Sequence, residues 1–312
     1  MARLSDPVFK GADLASENLS PQQDLAALKT YRYLRLGMLA VGATLAFAIG
    51  QEFAQPSVDC FLGSVSGYYY TPVHSIFIGG LVAIGAMLLV IKGRTVLEDA
   101  SLSFAGVMAP IVAFLPTSDD VQGVCRPVML SAGRYEAANG SPVAAASINN
   151  NLHALLFTGY VALALLLIAY LIQRKRWNGV GSPPEYTVGT WVGWAIGLGF
   201  VIAGTLLLKY GYSWVLEGHA RAACAMFLAL AVAALANGIF GLTHEHTRKV
   251  FAWIYIVVGV LMVVSGIAFI VLHEQDRSLL GGHLVLVIEA IEIGLFMVFW
   301  ATQTVERWNR IA

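Results

Sequence analysis

Charged residues are scarce in this chain. They make up 12% of its 312 residues, about half of the roughly 25% that is typical of soluble globular domains. Hydrophobic residues make up 58%, and the 19 Lys and Arg residues are balanced by 19 Asp and Glu residues. No basic stripe and no nucleic-acid-binding motif is present. The composition therefore excludes nucleic acid as a partner and indicates a membrane protein in contact with lipid.

The chain also lacks the motifs of several large enzyme classes. It has no P-loop and no dinucleotide-binding fingerprint. Residues 1–33 are polar and lack the apolar core of a signal peptide, so no cleavage is expected. Whether the protein is an enzyme is left open by the sequence.

Long apolar runs are the dominant feature of what is present. Several reach about 20 residues, enough to cross a hydrocarbon core of roughly 30 Å. The predicted fold is all-α, a polytopic transmembrane helical bundle of about eight spans. The predicted spans are 34–54, 72–92, 101–116, 153–172, 189–209, 219–240, 250–271 and 283–303.

Residues 1–33 are predicted to form a cytoplasmic N-terminal segment, and residues 34–312 the transmembrane domain. Ser20 and Pro21 resemble the cap and first position of a short interfacial helix that merges into the first span. The domain divides into two four-span halves, 34–172 and 189–303, joined by a cytoplasmic hinge at 173–188. A histidine lies at the start of the second and fourth spans of both halves. This pattern has two explanations, a parallel internal repeat or coincidence.

The distribution of Lys and Arg predicts the orientation. With the N-terminus inside, fourteen of the 19 basic residues fall in inner segments. The five outer ones are Arg126, Arg134, Lys209, Arg221 and Arg277. The positive-inside rule then places both termini in the cytoplasm, and we expect the plasma (inner) membrane of a bacterium.

Two carboxylates in the last span, Glu289 and Glu292, are the main site candidates. Three positions apart on a helix, they share one face. An ionised carboxylate at membrane depth is costly, so both should face the bundle interior. We expect a proton or cation site, with at least one of the pair protonated at neutral pH. The alternative is two structural carboxyls that accept hydrogen bonds from neighbouring groups.

A polar stretch, Gly63 to His74, is predicted to form the outer mouth of this site. Thr71 and Pro72 resemble a helix start, and Tyr69 and Tyr70 fall where aromatic rings prefer the membrane boundary. Glu52 lies near the outer end of the first span. We therefore expect an outward-facing polar cavity that Glu52, Tyr69, Tyr70 and His74 line together with the two glutamates.

Four histidines lie near outer helix ends and are candidate metal ligands: His74, His153, His219 and His283. Imidazole and carboxylate suit zinc, whereas two facing histidines suit a haem, and both cofactors are left open. Ordinary interfacial histidines are the alternative for each.

Two of the three cysteines, Cys60 and Cys125, fall in predicted outer segments. A disulfide between them is expected in an oxidising compartment. It would tie the long outer connection of 117–152 to the mouth of the site.

Three functions are compatible with these features. The first is a protein that binds or transports a small solute, a cation or proton, or a lipid headgroup through its carboxylates. The second is a metal-dependent membrane enzyme that uses the outer histidines. The third is a non-catalytic subunit, with a membrane-protein partner or a second copy of the chain.

Overall fold

A computed structural model describes residues 21–54, 61–115, 142–177, 184–211, 218–244, 249–276 and 279–308. Within these ranges the chain forms eight α-helices and no strand. The all-helical fold class is confirmed. The helices are α1 Pro21–Phe53, α2 His74–Val90, α3 Val96–Phe114, α4 Pro142–Trp177, α5 Pro184–Tyr210, α6 Gly218–Thr243, α7 Lys249–Gln275 and α8 Leu284–Glu306.

Six of the helices are long and apolar enough to cross a membrane, which fits a multi-pass membrane protein. They are α1, α3, α4, α6, α7 and α8. Two further helices contain shorter apolar stretches, His74–Val90 and Ala195–Tyr210. The predicted count of eight spans is therefore not confirmed, although a helix occupies each predicted position.

Packing between helices follows a ring in which α1, α2, α3, α6, α7 and α8 each contact the next and α8 returns to α1. Helices α4 and α5 pack against each other, and α4 also contacts α3. Extensive contact between α3 and α6 joins the two predicted halves. The division into two four-helix halves is not confirmed.

The ends of the helices follow local chemistry. Helix α1 begins at Pro21, as predicted, and runs without interruption into the apolar segment. Helix α3 begins five residues before the predicted span because the Thr95 hydroxyl accepts a hydrogen bond from the Glu98 amide. Helix α4 begins at Pro142, so the long connection of 117–152 is shorter than predicted.

The start of α2 differs from the prediction at Thr71. This residue follows a 3₁₀ turn at Ser66–Tyr70, and α2 begins only at His74. The Thr71 hydroxyl donates to the Tyr68 carbonyl at 2.8 Å and accepts from the Val73 amide at 3.2 Å. Thr71 therefore closes the turn, and it also accepts the Val73 amide as a helix cap does, although α2 begins two residues later than predicted.

Close helix crossings use glycine. A Cβ on Gly85 of α2 would lie 2.8 Å from the Gly106 carbonyl oxygen and 2.9 Å from Pro110 Cδ of α3. A Cβ on Gly106 would lie 2.9 Å from the Gly85 carbonyl oxygen. Since backbone carbonyls and the proline ring cannot move aside, only glycine at these positions permits the short distance between α2 and α3.

The outer surface of the helices is strongly apolar. Large hydrophobic side chains are exposed along it, among them Phe157, Leu166, Ile196, Val264 and Ile267. Soluble monomers rarely expose a continuous apolar surface of this kind. The exposed face is suited to contact with lipid.

Candidate functional site

The polar stretch predicted to form the mouth of the site lies against the first turns of α8. The Leu286 amide donates to the Gly63 carbonyl at 2.8 Å, and His283 Nε2 lies 3.0 Å from the Phe61 carbonyl oxygen. Leu286 is in the first helical turn, where backbone amides have no partner within the helix. The stretch of residues 61–74, called here the docked segment, therefore supplies acceptors that the start of α8 needs.

Glu289 binds this docked segment directly. Its Oε2 accepts the Val65 amide at 2.6 Å and the Ser66 amide at 3.2 Å, while Oε1 accepts the Ser66 hydroxyl at 2.6 Å. These donors begin the 3₁₀ turn, where unpaired amides favour an anion. Hydrogen bonds to a carboxylate are stronger than neutral ones, so Glu289 fixes the segment in place.

Glu292 has a different set of partners. It lies one turn further along α8 and is 4% exposed. Its Oε1 lies 2.5 Å from the Ser265 hydroxyl of α7. Its Oε2 is buried and has no partner among the described residues. The two glutamates therefore share a helix but contact separate neighbours.

Three other predicted site residues, Tyr69, Tyr70 and His74, lie along the docked segment, whereas Glu52 lies near the end of α1. Tyr69 packs edge-on against His74, with ring centroids 4.4 Å apart, and against Tyr70 at 5.2 Å. Tyr68 is buried, and burial raises the pKa of its phenol. A hydrogen bond with the Leu62 backbone opposes that rise in pKa, and the charge of the buried Glu52 carboxylate adds to it. Burial also raises the pKa of Tyr69.

The four candidate metal-ligating histidines each contact a backbone carbonyl through Nδ1. The carbonyls belong to Tyr69, Asn149, Leu115 and Leu280, for His74, His153, His219 and His283 in turn. Because a carbonyl only accepts, each of these bonds uses a proton on Nδ1. His283 also contacts the Phe61 carbonyl through Nε2, and a neutral ring can donate to only one of its two carbonyls. Such a bond often orients a metal-binding histidine. However, no three His, Cys, Asp or Glu side chains of the described residues come together as a metal ion requires. The histidine metal site stays a prediction.

A second polar group, which the sequence analysis did not predict as a site, lies at the opposite ends of α2 and α8. Glu98 of α3 is fully buried. Its Oε1 accepts Gln303 Nε2 at 2.8 Å, and its Oε2 accepts the Arg94 amide at 2.5 Å. Arg307 Nη2 contacts both oxygens at 3.2 and 3.3 Å and also donates to Asn237 at 2.6 Å.

A second ion pair extends this group. Arg94 Nη2 lies 2.7 Å from Glu306 Oε1, and the Tyr255 hydroxyl donates to Glu306 Oε2 at 2.7 Å. Arg35 Nη1 donates to the Gln303 carbonyl at 2.9 Å. We call Arg35, Arg94 and Arg307 together with Glu98 and Glu306 the arginine cluster.

The arginine cluster was missed because its basic members served only to predict orientation. Lys and Arg at helix ends are ordinary in membrane proteins. The available signal was Glu98, which lies at the start of an apolar helix close to Arg94 in the sequence. Its partner Arg307 is 209 positions away, and no periodicity connects them.

The predicted disulfide concerns Cys60 and Cys125, and both lie outside the described residues. It stays a prediction.

Comparison of the chain with protein-family models, curated proteins and solved structures finds no match. The function is therefore inferred from the residues of the chain itself.

Proposed function

We propose that this multi-pass membrane protein binds and transports a proton, or a small cation in its place, through Glu292 with the help of Glu289. The observation that carries the proposal is Oε2 of Glu292, which is buried and has no partner among the described residues. An ionised carboxylate in such a place is costly. A bound proton or cation removes that cost.

The neighbours of Glu292 support a bound proton. The Ser265 hydroxyl lies 3.0 Å from the Met262 carbonyl and 2.5 Å from Glu292 Oε1. A hydroxyl has one proton to donate, so it cannot donate to both oxygens at once. A protonated Glu292 resolves this, because it donates to Ser265 while Ser265 donates to Met262.

Glu289 is suited to the ionised form. Its three contacts with Val65 and Ser66 all come from donors, and donors favour the charged carboxylate. Two carboxylates in unlike environments can thus have different roles. Glu292 exchanges the proton, and Glu289 holds the docked segment over it.

The proposal includes the predicted orientation, with both termini in the cytoplasm of a bacterium and the docked segment outside. Arg35, Arg94 and Arg307 share contacts with Glu98, Gln303 and Glu306. This grouping of basic residues supports the proposed orientation, because the positive-inside rule favours them at the cytoplasmic end.

Proton flux into liposomes tests the proposal. Purified protein is reconstituted with a pH-sensitive dye trapped inside, and a pH gradient is imposed. We expect flux from the wild type and its loss in Glu292→Gln. The control is Glu274→Gln, the same chemical change at an exposed position of α7, which should keep the flux.

Equal flux in wild type and Glu292→Gln, or none in either, would contradict the proposal. Bound zinc in the purified protein would instead favour the metal-dependent enzyme. Stable co-purification with another membrane protein, without flux or zinc, would favour the non-catalytic subunit.

A further inference from the structure

The arginine cluster has more buried donors than its acceptors can use. Four guanidinium nitrogens are buried without a partner among the described residues: Arg35 Nη2, Arg94 Nη1, Arg307 Nε and Arg307 Nη1. Arg35 and Arg307 are each 3% exposed. Unmade hydrogen bonds of buried charged groups are expensive, so these nitrogens call for acceptors.

Each carboxylate oxygen of the cluster already has at least one hydrogen-bond partner. Both oxygens of Glu98 already accept hydrogen bonds, from Gln303, Arg307 and the Arg94 amide. Both oxygens of Glu306 are also in use, one with Arg94 and the other with Tyr255. The buried acceptor of this group that lacks a partner among the described residues is Gln303 Oε1, which is one oxygen against four unused nitrogens.

The charges of the cluster do not balance either. Three arginines against two glutamates leave one positive charge in excess. Arg307 opposes the positive charge of Arg35, whereas Glu98 favours it. Lys92 and Asp99, which lie beside the cluster, form their own ion pair at 3.3 Å and add no net charge. A further anion would relieve the repulsion.

From these three observations we propose that the arginine cluster binds a phosphoryl group. A phosphoryl group carries negative charge and several acceptor oxygens, and the planar guanidinium matches its geometry. The Arg94 side chain is 14% exposed, which leaves a route from the surface. Arg94 and Arg307 lie beside the ends of α3 and α8, and basic pockets between transmembrane helices bind lipid headgroups.

The proposal is independent of proton binding at Glu292, and failed proton flux would leave it intact. It is tested by thermal unfolding of the purified full chain in detergent, followed by tryptophan fluorescence. The probes are inorganic phosphate, short-chain phosphatidic acid, and phosphatidylcholine with the same chains. Potassium chloride at matched ionic strength is the reference.

We expect the unfolding midpoint to rise with phosphate or with phosphatidic acid, well beyond the chloride reference and beyond phosphatidylcholine. A rise with inorganic phosphate assigns a soluble phosphate as ligand. A rise with phosphatidic acid alone assigns a lipid headgroup. Both results support a phosphoryl site, because binding to the folded state raises its stability.

Conservative variants locate the site. Arg35→Lys and Arg94→Lys keep the charge but remove guanidinium donors, and each should weaken apparent affinity about tenfold, the effect of one charge-assisted hydrogen bond. Arg221→Lys, the same change on exposed Arg221 of α6, should leave affinity unchanged. If Arg35→Lys does not fold, the partly exposed Arg94 provides the test.

Two results would overturn the proposal. One is a wild-type midpoint that neither phosphoryl probe raises above the chloride reference. The other is an equal rise in wild type and in the Arg35→Lys and Arg94→Lys variants. Either would mean that water alone completes the hydrogen bonds of the cluster.

Discussion

Removal of the Glu98 charge should be among the most destabilising single changes in the described part of the chain. Glu98 is fully buried and is the carboxylate that pairs with Arg307, which is itself 3% exposed. Glu98→Gln leaves that guanidinium buried without its counter-charge and raises the excess positive charge of the cluster. Breaking a buried pair in this way costs about 3–5 kcal/mol.

The adjacent residue provides a matched control. Asp99 pairs with Lys92 at 3.3 Å, but the two side chains are 33% and 66% exposed. Exposed ion pairs are worth about 0–1 kcal/mol. Asp99 also accepts the Gly93 amide at 3.1 Å, a bond that an asparagine oxygen retains. Asp99→Asn should therefore cost less than about 1 kcal/mol.

A double variant separates the lost pair from lost packing. Combining Glu98→Gln with Arg307→Met removes both charges, and replacing both partners of a buried pair is often close to neutral. We expect the double variant to unfold at a higher denaturant concentration than Glu98→Gln alone, in equilibrium unfolding in mixed micelles. If its loss instead equals the sum of the two single losses, the pair is not coupled and the reasoning fails.

Three further predictions concern the docked segment, the α2–α3 crossing and the topology. Glu289→Gln weakens charge-assisted hydrogen bonds worth about 1.5–3 kcal/mol each, so hydrogen exchange at the two amides it accepts should quicken, and unchanged exchange would refute its anchoring role. Gly85→Val overpacks the rigid crossing of α2 and α3 and should lower the free energy of unfolding by about 1–3 kcal/mol. Gly79→Val is the control, because a Cβ on Gly79 has no neighbour within 4 Å. Equal unfolding midpoints for the two variants would contradict the role of Gly85 in the crossing. A reporter fused after Ala312 should be cytoplasmic and one within 117–152 external, and an external C-terminus would exclude the proposed orientation.

Hydropathy was sufficient to predict the helices, because crossing a membrane requires a length that apolar runs show directly. The start of α1 at Pro21 was predicted from the preference of proline for the first helical position. The start of α2 was wrong by two residues, because a 3₁₀ turn that the Thr71 hydroxyl closes comes before the helix. The Thr71 hydroxyl serves both the turn and the start of the helix, and residue preferences alone do not show which of the two determines the boundary.

The carboxylates were recognisable as site candidates because charge at membrane depth is rare. Their partners were not. Ser66 is 223 positions from Glu289, and Ser265 is 27 positions from Glu292. Because the two glutamates share a helix face, they were predicted to interact with each other. In the structure Glu289 contacts the docked segment, whereas Glu292 contacts α7.

The protonation state of Glu292 tests the central claim most directly. Infrared spectroscopy of the protein in lipid resolves the carbonyl stretch of a protonated carboxyl group. The account predicts this band at neutral pH in the wild type and in Glu274→Gln, and its loss in Glu292→Gln. Absence of the band from the wild type at neutral pH, or its persistence in Glu292→Gln, would contradict the account.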